Sequence, residues 1–283
     1  MTRASARPAP VAGAAEVLDA WNDIAIGYDT FVTPTHFWLG REAVRRVGLR
    51  PGMQFLDVAA GSGALAIPAA RLGARVLSTD ISPVMLERLA ARARGEALDV
   101  ETRVMDGHAL ELDDETFDVA GSQFGVMLFP DLPRGVRELA RVTRRGGRVL
   151  LVAYGAPEQV EFLGFFLHAV EAVVPDFVGL PDDPPPLPFQ VSDPEKLHGA
   201  LVDAGLTGVS VETIVETLSF ESGARMWDWV TNSNPIGRML VADLSEPQRT
   251  DVRRRLDGML RERAGGGGAA RLTNPINIGI GTR

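Results

Sequence analysis

Met53-Gln54-Phe55-Leu56-Asp57-Val58-Ala59-Ala60-Gly61-Ser62-Gly63, then an alanine-rich segment, then Arg75-Val76-Leu77-Ser78-Thr79-Asp80, is the stretch whose reading decides the fold. It reads as strand, glycine turn, helix, strand and acidic stop. The apolar run ends in Asp57, and from Ala59 to Gly63 no side chain is larger than alanine or serine, so a ligand can approach that backbone closely. Leu65, Ala66, Ala69, Ala70 and Leu72 have helical spacing, and the small ones among them let a helix lie tight against a sheet. Asp80 falls at the carboxyl end of the second strand, where open α/β sheets take ligands, and follows Gly61 by 19 positions. An acid about 20 residues beyond such a turn accepts hydrogen bonds from ribose hydroxyls. The stretch therefore points to a cofactor that carries a nucleoside.

Two cofactor classes fit the turn. Gly61-Ser62-Gly63-Ala64-Leu65-Ala66 matches the G-x-G-x-x-G/A dinucleotide pattern, which leaves an NAD-dependent oxidoreductase as an alternative. Asp57 weighs against it, because a pyrophosphate at that strand end would meet like charge. A cofactor with an ammonium and a sulfonium there would instead be attracted. Asp57-Val58-Ala59-Ala60-Gly61-Ser62-Gly63 resembles the first motif of class I S-adenosylmethionine-dependent methyltransferases, commonly D-x-G-x-G-x-G, with Ala59 where the first glycine usually stands. Met105-Asp106-Gly107-His108-Ala109, Phe117 to Phe124, Phe129-Pro130-Asp131-Leu132, Arg137 to Val142 and Arg145 to Leu151 continue the series in register. From roughly Trp21 to Tyr154 it resembles the ubiquinone/menaquinone-biosynthesis branch of that family.

That resemblance implies an α/β fold: a Rossmann-like three-layer α/β/α sandwich around a mostly parallel seven-stranded sheet, its last strand antiparallel beside the fifth, with a helical cap. It implies S-adenosyl-L-methionine as cofactor and S-adenosyl-L-homocysteine as product. Cofactor neighbours are then Tyr28, Asp57, Ala59, Gly61, Gly63, Asp80, Ile81, Met85, Asp106, Gly107, His108 and Gln123. Blander roles stand beside three of these. Tyr28 can anchor a helix, Met85 can be plain core, and Asp106 can cap the short segment after it. A protein that binds this cofactor without turnover is a further alternative.

The chain divides on this reading into a disordered tail (1–15), N-terminal cap helices (16–50), the cofactor-binding core (51–154) and acceptor-side cap helices with the last strands of the sheet (155–283). The tail holds Arg3, Arg7, Pro8 and Pro10 among alanines and lacks a signal-peptide core. Helical periodicity marks Glu16–Tyr28, Thr35–Val47 and Glu195–Ala204, and Ser82-Pro83 opens another helix. Phe162, Phe165, Phe166, Ala169, Val170 and Val173 make an aromatic amphipathic helix. Pro181 to Pro188 is an extended loop, and Val209, Val211, Thr213 and Val215 alternate as a strand. Ser222 can cap a helix with Met226, Trp227 and Trp229, and Glu246–Arg263 is a charged helix. Gly265 to Gly268 links it flexibly to Ile276–Ile280, read as the last strand, so these helices are an insertion before it.

Composition narrows the chemistry. The 283 residues are 45% hydrophobic and 23% charged, ordinary for a globular protein. There is no cysteine, which excludes a disulfide framework, a thiolate metal site and a cysteine nucleophile. A net charge of −8 disfavours a nucleic-acid partner. No apolar run reaches the ~18 residues of a transmembrane helix, so a cytoplasmic enzyme is expected, with a homodimer left open. Four histidines, His36, His108, His168 and His198, lack ligand spacing, so no metal is expected. His168 and His36 are the candidates for a catalytic base, and His108 belongs with the cofactor loop. Phe162, Phe165, Phe166, Trp227 and Trp229 point to a small apolar or aromatic acceptor for O- or C-methylation.

Overall fold

The computed structural model describes residues 14–181 and 184–283. Most of the expected tail, residues 1–13, and the pair 182–183 in the proline-rich loop lie outside the described residues. The chain opens with α1 (Ala14–Gly27) and α2 (Thr33–Arg46), joined by a π-helical turn over Tyr28–Val32 instead of the expected break. The core follows as β1 (Gln54–Val58), α3 (Ala66–Arg71), β2 (Arg75–Asp80), α4 (Pro83–Gly95), β3 (Val100–Val104), β4 (Phe117–Gln123), α5 (Leu132–Val142) and β5 (Thr143–Tyr154). Then come α6 (Glu161–Glu171), α7 (Pro194–Asp203), β6 (Thr207–Phe220), α8 (Gly223–Ser233), α9 (Pro235–Met239), α10 (Glu246–Arg263) and β7 (Ala270–Thr282).

Seven strands form one sheet in the order β3-β2-β1-β4-β5-β7-β6. β7 runs antiparallel to both its neighbours, and the other pairs are parallel. From β1 the chain first winds outward to β2 and β3, then returns to the other side of β1 with β4. Right-handed crossovers therefore put α3 and α4 on one face and α5 on the other. α2 packs on α3 and α1 on α4, while α7 packs on α5, which completes three layers. The reversal between β1 and β4 is a topological switch point, and crevices outside the carboxyl ends of such strands receive ligands.

Local chemistry sets the element ends. Ser82 accepts from the Met85 N–H and Pro83 follows it, so α4 starts where the sequence predicts. Ser222 caps α8 through the Arg225 N–H, and Ser245 with Gln248 closes a capping box on α10. Phe55, Leu56, Ala120 and Leu150 are fully buried, as central parallel strands require.

β6 and β7 outrun the sheet. β5 pairs with β7 only from Tyr154↔Ile276 to Arg148↔Thr282, whereas β6 and β7 stay paired on to Phe220↔Ala270. The projecting part carries a second apolar cluster, in which Leu218, Phe220 and Leu272 pack with Phe166, Trp227, Trp229 and Leu256 of α6, α8 and α10. The alternation expected on Val209, Val211, Thr213 and Val215 changes face along β6. Val215 is 61% exposed, while Glu216, Leu218 and Phe220 point inward. The first half of β6 packs with the sheet core and its second half with the cap, so the inward face is a different one in each. No helix of the described residues is long and apolar enough to cross a membrane.

Candidate active site

The glycine turn wraps the end of β1. Gly61 has φ +52°, and its N–H donates to Asp80 Oδ2 at 2.8 Å, while the Ser82 N–H donates to Oδ1 at 2.9 Å. Asp80 is thus locked across the turn, with lone pairs left on both oxygens. A Cβ on Gly61 would meet only Tyr28 Cε1, at 3.5 Å, so the backbone there is bare and Tyr28 roofs it. Ala59 adopts φ +53°, a left-handed conformation that glycine tolerates better and that costs alanine about 1–2 kcal/mol. A Cβ on Gly63 would meet Leu89 and Ile67, so a larger side chain would not fit between α3 and α4 there.

Asp57 is the unusual group here. It is fully buried at the end of β1, and neither oxygen has a hydrogen-bond partner. Burial pushes its carboxyl well up from the ordinary value, the Ala66 N–H offsets part of this short of hydrogen-bonding geometry, and Asp80 adds to the rise. Burial likewise raises Asp80, against its backbone donors. The Tyr28 hydroxyl is pushed above its ordinary value by burial and by Asp80, Asp57 and Glu216. Two buried carboxylates, with no arginine or lysine paired to either among the described residues, invite a positively charged, hydroxyl-bearing partner.

The remaining expected neighbours fall into two groups. Ile81 is half-buried just past β2, and Gln123 ends β4 at 8% exposure with neither amide atom partnered. Asp106 is exposed beyond β3 and accepts from the His108 N–H at 2.9 Å, with His108 Nδ1 at 2.7 Å. Burial raises the Asp106 carboxyl, but the His108 backbone and ring outweigh it and hold it below its ordinary value. The cap-like role is therefore present, and the second oxygen stays free of it. Gly107 is tight against Phe129, whose ring His108 meets at a tilt with centroids 4.4 Å apart. Met85 is 1% exposed, clustered with Ile24 and Ala25 of α1, so its expected adenine contact is replaced by a core role that seats α1.

α1 and the π-turn close over this crevice. Ser82 Oγ donates to Asn22 Oδ1 at 2.7 Å, and Arg92 of α4 pairs with Asp29. π-turns inside helices are frequent at functional sites. Beyond them lies a cavity of about 740 Å³, its open mouth included, lined by Trp21, Tyr28, His36, Phe124, Tyr154 and Phe162 among others. Phe124 stacks on Tyr154 at 4.4 Å and holds φ +59°, strain that a bulky residue tolerates only where its surroundings fix it.

The two candidate bases part company. His168 is exposed on α6 and does not line the cavity, which corrects the expectation for it. His36, on α2, is 2% exposed and faces Glu216 Oε1 from Nε2 at 3.5 Å. Burial lowers the imidazole to about 4 and raises the Glu216 carboxyl to about 8. Glu216 was not visible to an alternation read from Val209. The pattern Glu216-Thr217-Leu218-Ser219-Phe220, taken by itself, places it on the apolar face.

Residues 56–151 match the family model described as a methyltransferase domain. An uncharacterised protein of Mycobacterium tuberculosis strain H37Rv is 32% identical over 215 residues, covering 76% of this chain and 74% of its own. A demethylmenaquinone methyltransferase of Corynebacterium glutamicum is 32% identical over 148 residues, 50% of this chain and 61% of its own. Among solved structures, phosphoethanolamine N-methyltransferase 2 of Haemonchus contortus, in complex with phosphomonomethylethanolamine and S-adenosylhomocysteine, shares the fold. Its TM-score is 0.58 at 17% identity, covering 96% of this chain and 60% of that one.

Proposed function

The chain belongs to the class I S-adenosylmethionine-dependent methyltransferases, and we propose that it methylates a small apolar or aromatic acceptor held in the cavity between core and cap. S-adenosylmethionine is the cofactor and S-adenosylhomocysteine the product. The observation that carries the site assignment is the pair of partnerless, buried Asp57 oxygens beside the bare Gly61 backbone and the locked Asp80 carboxylate.

Asp57 and the turn from Ala59 to Gly61 receive the methionine end, where an ammonium offsets the buried carboxylate. Asp80 accepts from the ribose hydroxyls through its outward lone pairs, and Ile81 with the Asp106–His108 segment flanks the adenine. Tyr28 and Gln123 stand between cofactor and acceptor, with the unpartnered Gln123 amide available to hydrogen-bond either. When bound, the cofactor supplies a methyl group on a sulfonium that already contains its leaving group. The chain's own task is alignment and exclusion of water, and the aromatic walls provide both.

Residues 16–50 and the helices of 155–283 act on this reading as a cap around the core 51–154, and the last strands of the sheet also come from 155–283. A quinone-ring carbon, the acceptor implied by the demethylmenaquinone methyltransferase likeness, draws on a match to 50% of this chain. Phe162, Pro188 and Leu240 of the cavity wall come from the region beyond Tyr154, where the resemblance to the quinone-methylating branch thins. Incubation with labelled S-adenosylmethionine and a library of aromatic and aliphatic acceptors tests the proposal. Labelled small-molecule product is expected. Transfer only to protein or nucleic acid would contradict it.

A further inference from the structure

His36 of the cavity wall is backed by a buried carboxyl, Glu216, to which the cofactor reading gives no role. We propose that His36, positioned by Glu216, takes the proton of an acceptor hydroxyl, so that the enzyme is an O-methyltransferase of aromatic or enolic hydroxyls. This rests on the methyltransferase reading above and adds the acceptor atom to it.

The geometry is specific. His36 lines the cavity; Glu216 does not, and stands behind it with Oε1 3.5 Å from Nε2. Both side chains are 2% exposed, and no atom of either has a hydrogen-bond partner. Rings on two sides fix the imidazole: Phe124 with centroids 5.0 Å away and Trp229 at 5.9 Å. When Nε2–H donates to Glu216, Nδ1 is left as an acceptor. A dyad of this kind fixes the tautomer and strengthens the base.

Other groups near the pair cannot do this work. Burial foremost, and nearby negative charge including Glu216, pushes Tyr28 on the π-turn and Tyr154 on β5 above their ordinary values, so they keep their protons. Among the described residues neither member of the pair is matched with an arginine or lysine. A cationic amine would be served best by a carboxylate at the wall itself. Here an imidazole is interposed, which suits a neutral hydroxyl.

The step balances within the site. As the acceptor oxygen bonds to the methyl carbon, the carbon–sulfur bond breaks with its electron pair on sulfur, and the hydroxyl proton passes to His36 Nδ1. Glu216 offsets the charge formed on the ring, and the proton later leaves to solvent. Because the Glu216 carboxyl is raised to about 8, the competent form of the pair increases as pH climbs to that value. Ionisation of Glu216 also makes the adjacent imidazole the stronger base.

The test uses the full chain with nitrogen-15-labelled histidine, His36→Gln identifying the His36 signals among the four histidines. Above pH 8, His36 is expected in one tautomer, protonated at Nε2, with the Nδ1 signal shifting when 4-methylphenol is added. In Glu216→Gln the tautomer preference is lost. With a panel of substituted phenols, methyl ether formation should rise about tenfold per pH unit to a break near 8. Glu216→Gln should lower kcat roughly a hundredfold and remove the break. Glu216→Asp should restore part of the rate, with S-adenosylhomocysteine affinity unchanged in each variant. A proton fixed on Nδ1, an unresponsive ring, or a pH profile unmoved in Glu216→Gln overturns the inference. So does turnover confined to amines or carbon acceptors, which leaves the methyltransferase reading standing. Failure of the wild-type chain to bind S-adenosylhomocysteine would bring down both.

Discussion

At the carboxyl ends of β1 and β2 the floor of the crevice comes from one short run, Asp57 to Ser82, and backbone N–H groups hold Asp80 in place. The cavity beside it draws on α2, the turn after β4, β5, α6 and α8, and its walls are mostly apolar side chains, rings among them. Both regions bury carboxylates. In the crevice Asp80 is locked by the chain and Asp57 is left bare, whereas behind the cavity wall Glu216 faces the His36 imidazole. The contrast separates two design problems: a cofactor of fixed shape can be met by a local motif, while an acceptor is met by side chains from distant segments that only packing brings together.

The first way to break this contrast acts on the crevice alone. Gly61→Val places a branched side chain at φ +52° beneath Tyr28, on the bare backbone proposed for the methionine end. Affinity for S-adenosylhomocysteine should fall by about a hundredfold or more (about 2.7 kcal/mol). Phenol binding, followed by 4-methylphenol titration, should change far less. Equal loss of both would show that crevice and cavity are one site.

A second variant acts on the cavity alone, through stability. Glu216 is raised from 4.5 to about 8, so the folded protein keeps a proton that the unfolded chain has released, and stability falls as pH rises through that window. His36, lowered from 6.5 to about 4, does the reverse, with stability rising across its window. The two slopes offset each other below about 6.5, and from there to about 8 only Glu216 of this pair contributes. Wild-type Tm should therefore decline over that upper range. Glu216→Gln should flatten the decline, with a gain on the order of a few kcal/mol at pH 9. A variant that tracks the wild type across pH 6.5–8 would mean that the carboxyl titrates normally.

Ala59→Gly gives the smallest effect. Relief at φ +53° favours the variant by about 1–2 kcal/mol, and the added freedom of the unfolded chain takes back about 0.4–1. Chemical denaturation should show a net gain of about 0.5–1 kcal/mol. A net loss would mean that the alanine methyl, which packs toward Gly125, is worth more than the strain.

Legibility in the sequence follows the same division. The strand–turn–helix–strand run, the caps at Ser82 and Ser222, the bounds of α10 and the antiparallel last strand were all readable, because each is written in neighbouring residues or in a motif held in register. Met85 was misread because an apolar residue near a ligand looks the same as one that seats a helix. His168 failed for a related reason, since a helical stripe does not say which flank faces solvent. Glu216 was hidden by the change of face along β6, which exists only because that strand serves the sheet with one half and the cap with the other.

The account depends most on the crevice at the switch point, and calorimetric titration with S-adenosylhomocysteine of the wild-type chain and of Asp80→Ala tests it directly. One equivalent should bind the wild type, and the variant should bind at least tenfold more weakly (about 1.4 kcal/mol), consistent with loss of a charge-assisted hydrogen bond, while its melting stays cooperative. Unchanged affinity in Asp80→Ala would remove the carboxylate from the cofactor site and contradict the assignment built on it.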